Sequence, residues 1–278
     1  MRILLKFFLL LLLCSLWRVM PLHAQLPFYT DDSEVTEPGT LHFEFFNEYD
    51  GLQSSQYPNL RQNTVNGKVN YGLPYGLELD VDAPYLSIDR AARMQGSTGV
   101  GDTDMGVKWR IRKAATGSSL PALAASLYIE VPTGDVREQL GSGLTDYWLN
   151  SIAQEYPTDK TRLTANFGFL FAGNTSTGVI GIQTSHGHVY TGGLSLLHDL
   201  SPKLTLGGEV YGGLADTSGL GRDQLQGLVG GQYALTSRLS LAFGLLGGKY
   251  EASPQIGGQF GLAIDFPDFL RKSARPAQ

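Results

Sequence analysis

One stretch limits the fold more than any other. Gly76 to Tyr85, GLELDVDAPY, alternates without a break, with Leu77, Leu79, Val81, Ala83 and Tyr85 on one parity and Glu78, Asp80 and Asp82 on the other. Successive side chains of a β-strand point to opposite faces, so such a strand is apolar on one side and carries carboxylates on the other. A soluble sandwich would set core against water across it. A transmembrane barrel would set lipid against a wet lumen.

The repetition of the pattern decides between them. About twelve segments of roughly ten residues alternate in this way, each bounded by turn residues. They fall near 40–50, 62–72, 76–86, 101–113, 121–133, 144–156, 161–173, 187–198, 203–213, 223–235, 238–248 and 256–266. The segment at 144–156 is the least regular, because Trp148, Leu149, Ile152 and Ala153 fall on both parities. Links alternate between short turns, such as Leu73-Pro74-Tyr75-Gly76 and Pro157-Thr158-Asp159-Lys160, and longer Gly/Ser/Asn-rich loops such as Asn174 to Ser185. The link Lys113 to Leu120 is slightly long for a turn. Short turns at one end and long loops at the other are expected of an outer-membrane barrel and have no reason to arise in a sandwich. The expected fold is therefore all-β, a transmembrane antiparallel up-and-down β-barrel of about 12 strands, with both termini on the periplasmic side. A closed barrel is also the one sheet that spans a bilayer with no edge left unpaired.

Composition fits. Charged residues make up 17% of the 278, below the roughly one quarter usual for soluble proteins, and glycine is frequent at 35. The net charge of -5 leaves no basic footprint for nucleic acid. At the N-terminus, Arg2 and Lys6 flank the apolar run Ile3 to Trp17, and Leu22-His23-Ala24 precedes Gln25. This reads as a signal peptide over 1–24. An uncleaved anchor is disfavoured because the run is short for a span of about 20 residues. A lipoprotein signal at Cys14 is disfavoured because Leu13 stands where a small residue is wanted. Cys14 is the single cysteine, so the mature chain has no disulfide framework. The remaining organisation is expected to be a periplasmic N-terminal segment over 25–39, the barrel over 40–266 and a short tail over 267–278.

The last segment, Gln259 to Phe266, reads polar-x-Gly-x-x-apolar-x-aromatic. It resembles the closing-strand signal by which bacterial barrels are recognised for assembly, although Pro267 to Gln278 follow it. Periplasmic chaperones and the barrel-assembly machinery are accordingly expected partners, with outer-membrane lipid and a small-molecule solute.

Several stretches in order resemble one outer-membrane family. They are Pro27-Phe28-Tyr29-Thr30-Asp31-Asp32, Gly72-Leu73-Pro74-Tyr75-Gly76-Leu77-Glu78-Leu79, Gly99 to Arg110 (GVGDTDMGVKWR) and Glu130-Val131-Pro132-Thr133-Gly134-Asp135. The family is that named for the MetA pathway of phenol degradation. The resemblance covers most of the mature chain and implies a barrel that takes up aromatic compounds. It brings no catalytic residues.

Candidate sites follow from the lumen parity. Lys68, Glu78, Asp80, Asp82, Lys108, Arg110 and Arg112 form a charge lattice if the registers place Lys68 near Asp80 and Asp82, and the three carboxylates of the third strand against the three cations of the fourth. Such a lattice stiffens the lumen, and it can also act as a charged constriction that selects permeants. Twelve strands about 4.8 Å apart and tilted about 40° give a backbone diameter of about 24 Å. Side chains would reduce this to roughly 10 Å, which suits a small solute and not a wide diffusion pore. Asp102, Asp104 and Asp135 gather at the expected outer rim, where carboxylates could hold Ca²⁺, although turn-forming aspartates are the plainer reading. Ser185-His186-Gly187-His188 invites a hydrolase or metal reading, but no acidic partner or further ligand can be placed beside it. No cofactor is expected. The expected function is a narrow channel for uptake of small solutes, with a lipid-hydrolysing barrel enzyme or a structural and adhesive barrel as the alternatives.

Overall fold

A computed structural model describes residues 26–91, 94–114, 120–171, 187–215 and 224–270. Thirteen strands form one antiparallel sheet. They are β1 (Leu41–Gly51), β2 (Asn59–Leu73), β3 (Leu77–Arg90), β4 (Ser97–Val100), β5 (Thr103–Arg112), β6 (Ala122–Val131), β7 (Asp146–Thr158), β8 (Thr161–Phe171), β9 (His188–Ser201), β10 (Leu204–Ala215), β11 (Gln224–Ala234), β12 (Leu239–Gly248) and β13 (Ile256–Phe266). Each wall strand pairs with its neighbours in sequence, and β1 pairs with β13 from Leu41↔Phe266 to Gly51↔Ile256. The twelve wall strands thus close into a barrel, while β4 pairs with β3 alone. The extra strand, β4, extends β3 above the point where β5 leaves it.

The boundaries agree with the alternation to within a few residues. The chain turns through Asp159-Lys160 and Pro202-Lys203 at one end, and makes longer links such as 132–145 and 249–255 at the other. The tight β2–β3 turn places Tyr75 and Gly76 at positive φ, 66° and 73°. That geometry is cheap for glycine, and at Tyr75 it is tolerated on a fully exposed turn.

The faces separate as the pattern requires. On β3, Leu79 and Tyr85 are 46% and 50% exposed toward the outside, whereas Glu78 and Asp80 are 4% and 2% exposed inside. On the irregular segment, Tyr147 and Leu149 face outward while Trp148, Asn150 and Ile152 face the lumen. Its double parity arises because the lumen here is itself packed. Trp148 donates its indole N–H to Thr191 Oγ1 at 3.1 Å and its ring lies 5.9 Å from that of Tyr128.

Residues 26–36, which precede β1, lie inside the barrel. The signal peptide over 1–24 and residues 271–278 of the tail lie outside the described residues.

Candidate functional site

The segment preceding β1 enters the lumen from the short-turn end, where the Gly39 N–H donates to the Gly72 carbonyl at 2.9 Å. It climbs along β3 and β5, crosses at mid-height and ends against β11 to β13. We call it the strap. An irregular chain at membrane depth is tolerated only if its backbone polar groups find partners, and the wall supplies them from nearly every side. Glu78 accepts the Thr36 N–H. Gln154 on β7 accepts the Ser33 N–H at 3.2 Å. Asn166 on β8 accepts the Asp31 N–H at 2.7 Å and donates to the Asp31 carbonyl at 2.8 Å. Glu209 on β10 accepts the N–H groups of Tyr29 and Thr30 at 2.9 and 2.8 Å. The Gln232 amide on β11 donates to the Leu26 carbonyl. The Tyr29 hydroxyl donates to Glu48 on β1 at 2.5 Å and accepts from Gln259 on β13 at 3.1 Å.

Glycines make room for this crossing. A Cβ on Gly193 would stand 2.5 Å from Thr30 Oγ1, and one on Gly230 would stand 3.0 Å from Pro27. Phe28 packs on Leu228 and Leu246, so the strap also buries apolar surface inside the barrel.

The strap changes the expected charge lattice. Lys68 does stand across from Asp82. Glu78 does stand across from Lys108, but Asp80 faces Gly106 and Asp82 faces Asp104. Two of the three cations of β5 reach the strap. Lys108 Nζ lies 2.6 Å from Asp31 and 3.3 Å from Asp32, and Arg110 pairs with Glu34 at 2.9 Å. Arg112 donates to the Pro121 carbonyl at 2.7 Å. Asp80 accepts from the Tyr128 hydroxyl at 3.0 Å, the ring lying over Gly106, where a Cβ would come within 2.3 Å of it. Lys108 and Arg110 are thus paired to the strap, with Glu78 still across from Lys108. Asp31, Asp32 and Glu34 neutralise cations that would otherwise face a low-dielectric interior.

The rim aspartates have other work. Asp102 accepts the backbone N–H groups of Gly134 at 2.9 Å and Ser142 at 2.6 Å, which ties the 132–145 link to the rim. Asp135 accepts the Arg137 N–H at 2.8 Å within that link. Asp104 sits in the wall, opposite Glu130. Among the described residues, no three of His, Cys, Asp and Glu are arranged to hold a metal ion. Ser185 and His186 lie outside the described residues. His188 begins β9 and stacks between Phe169 and Phe171, at 5.3 and 5.2 Å.

On the long-loop side of the strap lies a cavity of about 190 Å³. Phe28, Phe46, Tyr128, Trp148 and Tyr211 form much of its apolar lining, and Lys68, Asp82, Asp104, Glu130 and Asp146 supply charge. The alternation marks the wall residues of this site as lumen-facing. It holds no mark for the strap, whose Tyr29, Asp31 and Glu34 sit in a stretch without period.

Comparison with known proteins places this geometry. The COG4313 outer membrane channel from Pseudomonas putida F1 has the same fold, with a TM-score of 0.64 at 15% identity over 84% of this chain and 98% of that one. The NanC porin matches with a TM-score of 0.55 at 8% identity over 80% of this chain and 98% of that one. The KdgM porin in complex with disordered oligogalacturonate matches at 0.53 and 10% identity, over 81% and 99%. No curated protein matches the sequence. The fold is that of a bacterial outer-membrane β-barrel. The model of the MetA-pathway of phenol degradation family matches residues 42–266, the whole barrel from β1 to β13, and the chain belongs to that family.

Proposed function

We propose that the protein is a narrow outer-membrane channel for uptake of small solutes, with aromatic compounds among them. One observation carries the reading. The lumen holds a single-ring-sized, aromatic-lined cavity on one side of a strap that is fastened by charged side chains, and neither feature is needed to keep a barrel folded. The phenol-degradation label of the family supports an aromatic solute. In this reading the constriction is formed by Lys108 and Arg110 together with Asp31, Asp32 and Glu34, and not by wall residues alone. Glu78, Asp80 and Asp82 line the approach. The aromatic end of β13 serves as the signal read by the assembly machinery. No catalytic step belongs to the reading.

Single-channel recording of the mature protein tests it. Small, stepped conductances are expected, rising when Asp31→Asn and Glu34→Gln together loosen the strap. Silence of both forms in bilayers, with correctly folded protein, would exclude a channel. Lipid hydrolysis lost on Ser185→Ala would establish the enzymatic alternative instead.

A further inference from the structure

The registers place six ionisable residues directly opposite one another on six consecutive wall strands. Glu44 on β1 stands across from Lys68 on β2, and Lys68 from Asp82 on β3. Asp82 stands across from Asp104 on β5, Asp104 from Glu130 on β6, and Glu130 from Asp146 on β7. Five of the six are acids, and the last four follow one another with no cation between them. Like charges directly opposite on a sheet destabilise it. A run of four is therefore a cost that folding does not explain.

The row has a direction. Opposed residues lie along the hydrogen-bonding axis, and a strand tilt of about 40° makes that axis climb about 3 Å per strand, or roughly 15 Å over the row. The strand ends agree. Glu44 and Lys68 lie toward the short-turn ends of β1 and β2, whereas Asp104, Glu130 and Asp146 lie at the long-loop ends of β5, β6 and β7. The row is a ramp from the outer mouth to the level of the strap.

The ramp borders the cavity, and part of it is unsatisfied. Glu130 is 7% exposed, yet its Oε1 finds no hydrogen-bond partner, and neither does Asp82 Oδ1. Both residues line the cavity. A buried, unpartnered carboxylate oxygen wants a donor. No compact metal cage is formed there among the described residues, so a small divalent ion does not fit the arrangement. The aromatic rings across the cavity add a second preference, because ring faces attract cations and also bury apolar surface. A cavity of about 150 Å³ takes benzene. One of about 190 Å³ has room for a single ring with a short arm.

We propose that the cavity binds organic cations, small aryl-alkyl ammonium compounds, whose ammonium group follows the carboxylate row while the ring rests against Tyr128 and Trp148. This deepens the channel reading and rests on it for transport, though not for binding. The ammonium supplies a donor to Glu130 Oε1 and Asp82 Oδ1 and relieves the repulsion along the row. A charged row beside low-dielectric walls concentrates such cations at the mouth.

The experiment is direct binding to the folded, mature barrel in detergent by titration calorimetry. The probes are 2-phenylethylammonium, 2-phenylethanol, 3-phenylpropionate and methylammonium. Phenylethylammonium is expected to bind at least tenfold tighter than each of the others. The preference over the alcohol should collapse in Glu130→Gln with Asp104→Asn, and separately in Asp146→Asn, each checked for folding by heat-modifiable gel mobility. Equal binding of the alcohol or the carboxylate, or a preference that survives both variants, overturns the proposal. Equal binding of methylammonium overturns the role of the rings. Reversal potentials in phenylethylammonium chloride separate the two readings. Conductance without cation preference refutes the cation site and leaves the channel. Selective binding without any conductance refutes the channel and leaves the site.

Discussion

Lys108 meets Asp31 at 2.6 Å, and both side chains are 5% exposed. One partner belongs to the wall and the other to the strap, so the pair fastens a removable part to a fixed one. Breaking a buried pair by removing one member costs about 3–5 kcal/mol in a protein core. Asp32, 3.3 Å from the same ammonium, softens that cost here. Asp31→Asn is expected to raise single-channel conductance and its noise. Adding Lys108→Gln should recover part of the original trace, because the buried ammonium that lost its nearest carboxylate is then gone as well. Strictly additive effects of the two changes would show that the strap is held by other contacts.

The Tyr128 ring lies over Gly106 to reach Asp80, and no side chain fits beneath it. Gly106→Ala should displace the ring and cost about 1–3 kcal/mol, as overpacking does. Tyr128→Phe keeps the ring and loses only the hydroxyl contact, worth about 1.5–3 kcal/mol when the acceptor is charged. The unfolding temperature, read from gel mobility after stepwise heating, should fall for both. Gly106→Ala combined with Tyr128→Ala should be less harmful than the two effects added. Full additivity would contradict the clash.

The two faces of β8 and β2 should differ in their tolerance of charge. Phe167 is exposed near the middle of β8 on the outer face, and Thr64 lines the lumen cavity. Phe167→Arg should cost about 2–4 kcal/mol, the penalty for a cation at the bilayer midplane. Thr64→Arg, across from Glu48 on β1, should cost far less. Equal losses on refolding into lipid vesicles would mean that the faces are exchanged.

Neutralising one member of the acidic row should stabilise the barrel. Asp104 stands between Asp82 and Glu130, so Asp104→Asn removes two opposed like-charge contacts. Each is worth roughly 0.2–1 kcal/mol, so the gain should be of that order or twice it. Gel-shift melting checks it, and a loss of stability would show that the row is already neutralised by its surroundings. A stabilising change at a binding site is the ordinary trade between stability and function.

How much of this was legible follows from the physics of the barrel. Period two is enforced residue by residue, because each wall side chain meets either lipid or lumen. Leu79 and Asp80 therefore announce their faces from sequence alone, and the strand ends follow from where the alternation stops. Register is legible only near short turns, as for Lys68 and Asp82 across Leu73 to Gly76. The β3–β5 register is set across a long link and an added strand, β4, so Asp80 came to face Gly106 and not a cation. The strap was illegible for a different reason. It has no regular structure, its partners lie up to 230 residues away, and its Tyr29–Gln259 contact obeys no local rule. The same holds for Asp102, whose work is to hold two backbone amides of a distant link.

Tyr29 touches Glu48 on β1 and Gln259 on β13, the two strands whose union closes the cylinder. Those strands stand at opposite ends of the barrel sequence, so their seam is the slowest pairing for the chain to find. The full set of strap contacts exists only once the seam exists. The strap is therefore a latch across the seam, and Tyr29 has both of these partners only in a completed cylinder.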